Sequence, residues 1–489
     1  MTGLAAAALD SVVPQTSATG HRLAWLRERG MGASILVAAL AAAFGVILVE
    51  VTAYIGALLQ SDPFLGDSGT LAIVTAILSF LLTGVAMYVA AVVTANTFAT
   101  IIAGRTRRIA LMRLIGASAR SQRAEVTGQG FVVGLIGAAT GLAIGLGISW
   151  LGMLVGAQLL QRTPESFSLA QPYILLPAVG VALTTWLAAH IGSRRVLTVT
   201  PLQALGGSVE RTRDEVASLR GKHIGSLVLL IVGVALLAGG VVIGLIAPYG
   251  VIVAFVGGVL SFTGLVTGAD LVMPLVLRLV GRMFGRSATA RLAAENALRY
   301  PERSSRMAIG VVMGVALVTM FAVALESCKK LLLSGGDVPA EFFAPMDAFA
   351  NVMMVLVAVS AVIAAVGLVN LLTIGVVQRR RELGLLRAIG LTGGQVRRMV
   401  LLEAVHITVA ATATGLVLGT AYGWVAAQSL LGAVTMPPDF QPAGFILPAV
   451  PWIPVVVIVA ATALLTVIAA VAPTRLATRV APVEALAAD

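Results

Sequence analysis

The sequence predicts an all-α, polytopic membrane protein of about ten transmembrane helices, built as two parallel four-helix repeats with an inserted helix pair. Three observations carry that reading. Of the 489 residues 58% are hydrophobic and 11% charged, with a mean hydropathy of +0.99, whereas soluble domains run at roughly 45–50% apolar and about 25% charged. The apolar residues are gathered into runs that match the roughly 20 residues needed to cross a hydrocarbon core of about 30 Å. A stretch of the first half also recurs, in the same residue order, in the second half.

Taken in order, the apolar segments lie at about 33–57, 70–103, 126–160, 172–192, 225–247, 250–277, 307–327, 347–378, 399–431 and 445–472. The first follows Arg22, Arg27 and Arg29 and so resembles a signal peptide. It is longer than a hydrophobic region of roughly 7–15 residues, so an uncleaved helix is expected. An even number of spans puts both termini on one side. With that side taken as cytoplasmic, 30 of the 33 Lys and Arg residues fall inside, and only Arg162, Lys329 and Lys330 fall outside. Such a bias is what the positive-inside rule requires. The basic residues are therefore topology determinants, and a nucleic-acid role is not expected.

The repeat joins Asn96–Gly116 (NTFATIIAGRTRRIALMRLIG) to Asn370–Gly390 (NLLTIGVVQRRRELGLLRAIG), at the constant offset 390 − 116 = 274. Gly141 and Gly145 align with Gly415 and Gly419 on the same offset, and the halves close on Pro201–Leu205 and Pro482–Leu486. The expected organisation is an N-terminal arm (1–32), a first repeat (33–205), a linker with an inserted helix pair (206–282) and a second repeat (283–489). Within each copy Ile109, Met112 and Ile115, or Leu383, Leu386 and Ile389, are three residues apart and form a narrow apolar stripe on a short helix rich in Arg. Such a helix suits the membrane surface or a groove in a partner. Gly116 and Gly390 stand where a helix stop tolerates positive φ, and Ser118 and Thr392 can cap the helix that follows. The segments at 70–103 and 347–378 exceed the apolar thickness and are expected to protrude on the basic side.

The motif Arg379-Arg-Arg-Glu-Leu-Gly-Leu-Leu-Arg-Ala-Ile-Gly390, with Glu403 beyond it and Ala-Pro-Val-Glu-Ala-Leu486 at the close, resembles the FtsX-like permease family, which includes MacB-like permeases of type VII ABC transporters. The chain would then carry two FtsX-like repeats. The resemblance implies a permease that hydrolyses no ATP, pairs with a cytoplasmic ABC ATPase acting as a dimer, and leaves ATP and Mg²⁺ to that partner. It implies a multi-pass protein of the bacterial cell membrane, in contact with lipid and open to an accessory protein. Carried onto this sequence, the ATPase-coupling residues are Arg105, Arg107, Arg108, Met112, Arg113 and Gly116 in the first copy. In the second they are Arg379, Arg381, Glu382, Leu386, Arg387 and Gly390. The first copy departs from the pattern: Arg108 replaces the glutamate at Glu382, and Gln129 replaces Glu403.

A search for catalytic chemistry returns nothing. The three lysines lie in no G-x-x-x-x-G-K-[ST] phosphate cradle, the four histidines lack metal-ligand spacing, and the single Cys328 has no pairing partner. Neither an enzyme nor a resident cofactor or metal is expected. Carboxylates in apolar helices are the remaining candidates, because a charge at the bilayer centre costs on the order of 2.5–3.5 kcal/mol on insertion scales. Glu50 and Glu326, 276 residues apart, are expected to sit in paired positions lining an outer substrate cleft, whereas Asp270 and Glu403 are expected to pair with Arg278 and Arg398. The leading function is an ABC permease coupling a separate ATPase to export or extraction of an amphiphile: a lipid, hydrophobic drug or antimicrobial peptide. The alternatives are a signalling subunit that transmits motion without moving a substrate, disfavoured by the short outer loops, and a secondary transporter, disfavoured by the basic segments.

The charge distribution sets a topology that labelling can check. Cysteines at Ser68 and Thr435 should react with impermeant reagents from outside and one at Ser118 should not; labelling of the last would overturn the assignment.

Overall fold

A computed structural model of the chain describes residues 31–60, parts of 76–95, 112, 116, 118–160, 168, 171–193, 220–283, 287–334, 380–436 and 441–479. These residues are almost wholly helical. In chain order they form α1 (Met31–Gln60), α2 (Ser79–Val89), α3 (Ala119–Leu160) and a 3₁₀ turn (Pro172–Ile174) that leads into α4 (Leu175–Gly192). The middle of the chain gives α5 (Arg220–Gly244), α6 (Gly250–Thr267), α7 (Ala269–Gly281) and α8 (Ala288–Arg299). The remainder gives α9 (Pro301–Ser334), α10 (Arg380–Ala388), α11 (Gly393–Leu431) and α12 (Trp452–Arg479). Between α11 and α12 an antiparallel pair of two-residue strands, β1 (Thr435–Met436) and β2 (Gln441–Pro442), makes a small hairpin.

Among the described residues eight helices are long and apolar enough to cross a membrane, and each falls on one of the ten expected segments. Of the other two, 347–378 lies outside the described residues, and 70–103 is represented by α2. One boundary differs. The segment expected at 250–277 breaks at Gly268, where α6 stops and α7 begins. The 18 residues of α6 already span about 27 Å at 1.5 Å per residue, and α7 opens with Asp270, a charge that hydrocarbon would penalise.

In each half the first and third helices cross at glycine. A side chain at Gly141 would strike the Ala39 carbonyl and Ala42, and one at Gly145 would meet Val46 Cβ at 2.8 Å. The second half repeats the contact: Gly415 would meet Val315 Cβ at 2.8 Å, and Gly419 the Ala316 carbonyl at 2.6 Å. Lipid tails are as apolar as the helices, so association inside a bilayer depends on close van der Waals packing, which small residues permit. The expected parallel repeat is thus a repeat of packing as well as of sequence.

The inserted pair, α5 and α6, packs on α11 of the second half: Gly244 lies against Ser429, and the Ser261 and Tyr422 hydroxyls share a hydrogen bond at 3.0 Å. From the first half α2 crosses to α6, where the Tyr88 and Thr263 hydroxyls are 2.8 Å apart and Phe80 meets Phe255 edge on at 6.4 Å. Phe44 and Leu48 of α1 share an apolar cluster with Leu317 of α9. The halves therefore meet through their first helices and through the inserted pair.

Glycine at the two crossings is required by space. Gly141→Val or Gly419→Val should cost about 1–3 kcal/mol, as overpacking does, and lower the melting temperature of the solubilised chain by several degrees. Gly147→Ala, with nothing within 4 Å, should leave it unchanged.

Candidate functional site

The basic end of the bundle is organised around α10 and the start of α11. Gly116 and Gly390, equivalent in the repeat, both adopt positive φ, 104° and 112°, which a Cβ would penalise. After Gly390 the Leu391 N–H reaches back to the Leu386 carbonyl at 3.0 Å, closing the helix as expected. Thr392 then caps α11: its hydroxyl accepts from Gln395 N–H at 3.2 Å, and the Gln395 side chain accepts from Thr392 N–H at 2.8 Å. In the first half Ser118 Oγ accepts from Ser121 N–H at 3.1 Å. Both copies thus share a positive-φ glycine followed, two residues on, by a hydroxyl that caps the next helix.

The expected apolar stripe is divided. Leu383 is 3% exposed and Leu386 half-buried, and both share a cluster with Ala293 of α8 and with Val396, Met399 and Val400 of α11. Only Ile389, 70% exposed, faces outward, together with Leu385 at 54% and Glu382. Positions 382, 385 and 389 lie three and four residues apart, on one face. The surface α10 offers is therefore Glu382–Leu385–Ile389, because its other side is packed into the cluster made with α8 and α11. Arg387 is half-buried. Arg381 contributes helical backbone, and its side chain is outside the described residues, as are Arg105, Arg107, Arg108, Arg113 and Arg379. Met112 is helical and half-buried.

Polar contacts join neighbouring helices at three points. Asp270 lies 3.8 Å from His223 Nε2, joining α7 to α5; Arg278 is two turns further along α7, about 12 Å away by helical rise. Glu403 is buried on α11, one turn before His406, whose Nε2 is 2.8 Å from the Leu277 carbonyl. His190 meets Arg123 at 2.9 Å. Among the described residues no His, Cys, Asp and Glu side chains converge as a metal site.

Glu50 and Glu326 are not equivalents. The glycine crossings align Ala43 with Ala316 and Val46 with Thr319, 273 residues apart in each case, so Glu50 corresponds to Val323 and Glu326 to Ala53. Glu50 is 2% exposed, and neither carboxyl oxygen has a hydrogen-bond partner. Glu326 is half-buried. The Ser149 hydroxyl, one turn beyond Gly145, is also buried without a partner. Sequence reasoning missed Ser149, although the offset of 274 sets it against Gly423 and so marks a polar residue where the other copy has none.

At the same level of the second half the polar groups are joined. Gln428 donates to the Gly444 carbonyl at 2.7 Å and accepts from Ile446 N–H at 2.6 Å, Trp424 donates to the Ile446 carbonyl at 2.7 Å, and Ser327 accepts from Ala449 N–H at 3.1 Å. These bonds tie the hairpin segment onto α9 and α11.

Two like-built pairs of apolar helices crossing at glycine, among eight helices long and apolar enough to span a membrane, define an integral membrane protein. The model of the FtsX-like permease C-terminal domain matches residues 80–201 and 354–482, just over half of the chain, and the chain belongs to the FtsX-like permease family. It carries two FtsX-like repeats and is a multi-pass membrane permease subunit of an ABC-type system. Among curated proteins no sequence matches it.

Proposed function

We propose that this permease couples ATP hydrolysis by a separate ABC ATPase to export or extraction of an amphiphile across the bacterial cell membrane. The observation that carries the coupling is the exposed Glu382–Leu385–Ile389 face on a helix whose opposite face is packed into the chain. Exposed apolar side chains flanked by charge at the basic end, beyond the membrane spans, suit a groove in a soluble partner. In the first repeat the same positions are Arg108, Leu111 and Ile115, so a dimeric ATPase would meet one acidic and one basic version of the contact. ATP and Mg²⁺ would bind the ATPase alone.

The stiff connection from that contact into the membrane is α11. Its 39 residues extend about 58 Å at 1.5 Å per residue, roughly twice a hydrocarbon core of about 30 Å. A displacement at α10 would reach the glycine crossing with α9 through one continuous helix. An amphiphile fits as cargo because it already partitions into the bilayer and needs no aqueous cavity beyond it.

Co-purification with the ATPase tests this reading. The chain alone should hydrolyse no ATP, and the double variant Leu385→Asp, Ile389→Asp should lose at least tenfold of the retained ATPase while staying monodisperse. Glu382→Ala should impair the complex more than Arg108→Ala. Leu386→Asp, which charges the packed face, should lower thermal stability first. Full retention of the ATPase by the folded double variant would overturn the proposal.

A further inference from the structure

We propose that Glu50, with Ser149 and Tyr173, forms a single binding site in the first repeat for the ammonium or guanidinium head of a cationic amphiphile. The inference rests on the amphiphile reading above and narrows it to one charge class and one half of the protein.

Register builds the site. A side chain at Gly423 of α11 would meet Val323 Cβ of α9 at 2.9 Å. In the first repeat those two positions are occupied by Ser149 of α3 and Glu50 of α1, so the register brings a buried hydroxyl and a buried carboxyl to the crossing where the second repeat has glycine and valine. One turn along α1, Tyr54 lies 3.7 Å from the Cβ position of Gly156. Tyr173, in the 3₁₀ turn before α4, is within electrostatic reach of Glu50, and that turn packs on α1. The polar groups therefore come from three elements of one repeat.

None of the carboxyl oxygens of Glu50 or the hydroxyl of Ser149 is satisfied within the protein. A buried polar group without a partner costs on the order of 1–3 kcal/mol, and more when charged. Protonation would remove the charge of Glu50 and still leave an acceptor and a donor unpaired. A head group with several N–H donors satisfies both carboxyl oxygens and the hydroxyl at once and supplies the opposite charge, and charge-assisted bonds are the stronger kind. Tyr54, one turn along α1, and Tyr173 add aromatic surface in the same region, which would favour a cation. Glu50 lies on a helix that crosses the membrane, so a ligand reaching it carries an apolar part. Val323 and Gly423 offer nothing comparable, which confines the site to the first repeat.

The test is binding of dodecylammonium to the full chain in phosphatidylcholine nanodiscs without ATPase, read as a saturable rise in melting temperature. Wild type should bind, Glu50→Gln should weaken binding tenfold or more, Glu50→Asp should retain part of it, and Ser149→Gly should weaken it several-fold. Glu326→Gln should bind as wild type does. Each variant is first required to elute as a monodisperse peak; if Glu50→Gln does not, Glu50→Asp and Ser149→Gly decide the matter. Equal binding by wild type and Glu50→Gln, or equal loss in Glu326→Gln, would overturn the site. Dodecanol binding as tightly would show that the charge is irrelevant, and methylammonium binding as tightly would assign the site to a small cation; either overturns the proposal. Because no ATPase is present, these failures leave the coupling reading standing, and it falls only by the co-purification test.

Discussion

The structure depends on the close crossing of the first and third helices in each repeat. Inside hydrocarbon there is no hydrophobic gain in bringing two apolar helices together, so the gain must come from contact close enough to exchange lipid for backbone. Gly141 and Gly145 in one half, and Gly415 and Gly419 in the other, admit that approach against the carbonyls and β-carbons of the partner helix. Once those points are fixed, register is fixed along the rest of each helix. One turn further on, the same crossing sets Gly423 against Val323, the positions that Ser149 and Glu50 hold in the first repeat.

Much of this was legible before any coordinates. The repeat at offset 274, the glycine series and the helix stops at Gly116 and Gly390 are local patterns with a local physical meaning, and the structure reproduces them. Two features were hidden for a definite reason. The first helices carry no motif and align at 273, so spacing alone made Glu50 and Glu326 a pair when their true equivalents are Val323 and Ala53. Likewise the stripe Leu383–Leu386–Ile389 read as a docking face because periodicity reports an apolar side but not what covers it. The cluster that covers it is completed by α11 and by α8, which lies some ninety residues earlier in the chain. The break at Gly268 was masked by apolar residues that continue through α7.

The two repeats share a frame and differ in what is placed on it. At the hairpin end the second repeat is closed by hydrogen bonds from Gln428, Trp424 and Ser327 to the segment between α11 and α12. At the same level the first repeat holds a buried carboxyl and hydroxyl with no partner. At the basic end the order of charge is reversed, with Glu382 answering Arg108. On the reading proposed above, a symmetric frame carrying unequal contacts would divide the labour: the hydrogen-bonded half would hold a fixed seal, the other an exchangeable polar site, and motion would enter through α10 and its counterpart. That arrangement suits a permease more than a passive anchor, because a passive anchor has no use for an unsatisfied polar group in the membrane.

The central claim is that the outward face of α10 meets the ATPase while its inward face is held by the chain itself. The most direct measurement is photo-cross-linking from benzoylphenylalanine placed singly at Ile389 and at Leu386 in the assembled complex. The account predicts a cross-link to the ATPase from position 389, and from position 386 an internal cross-link to residues of α8 or α11. An ATPase adduct from 386 and none from 389 would contradict it.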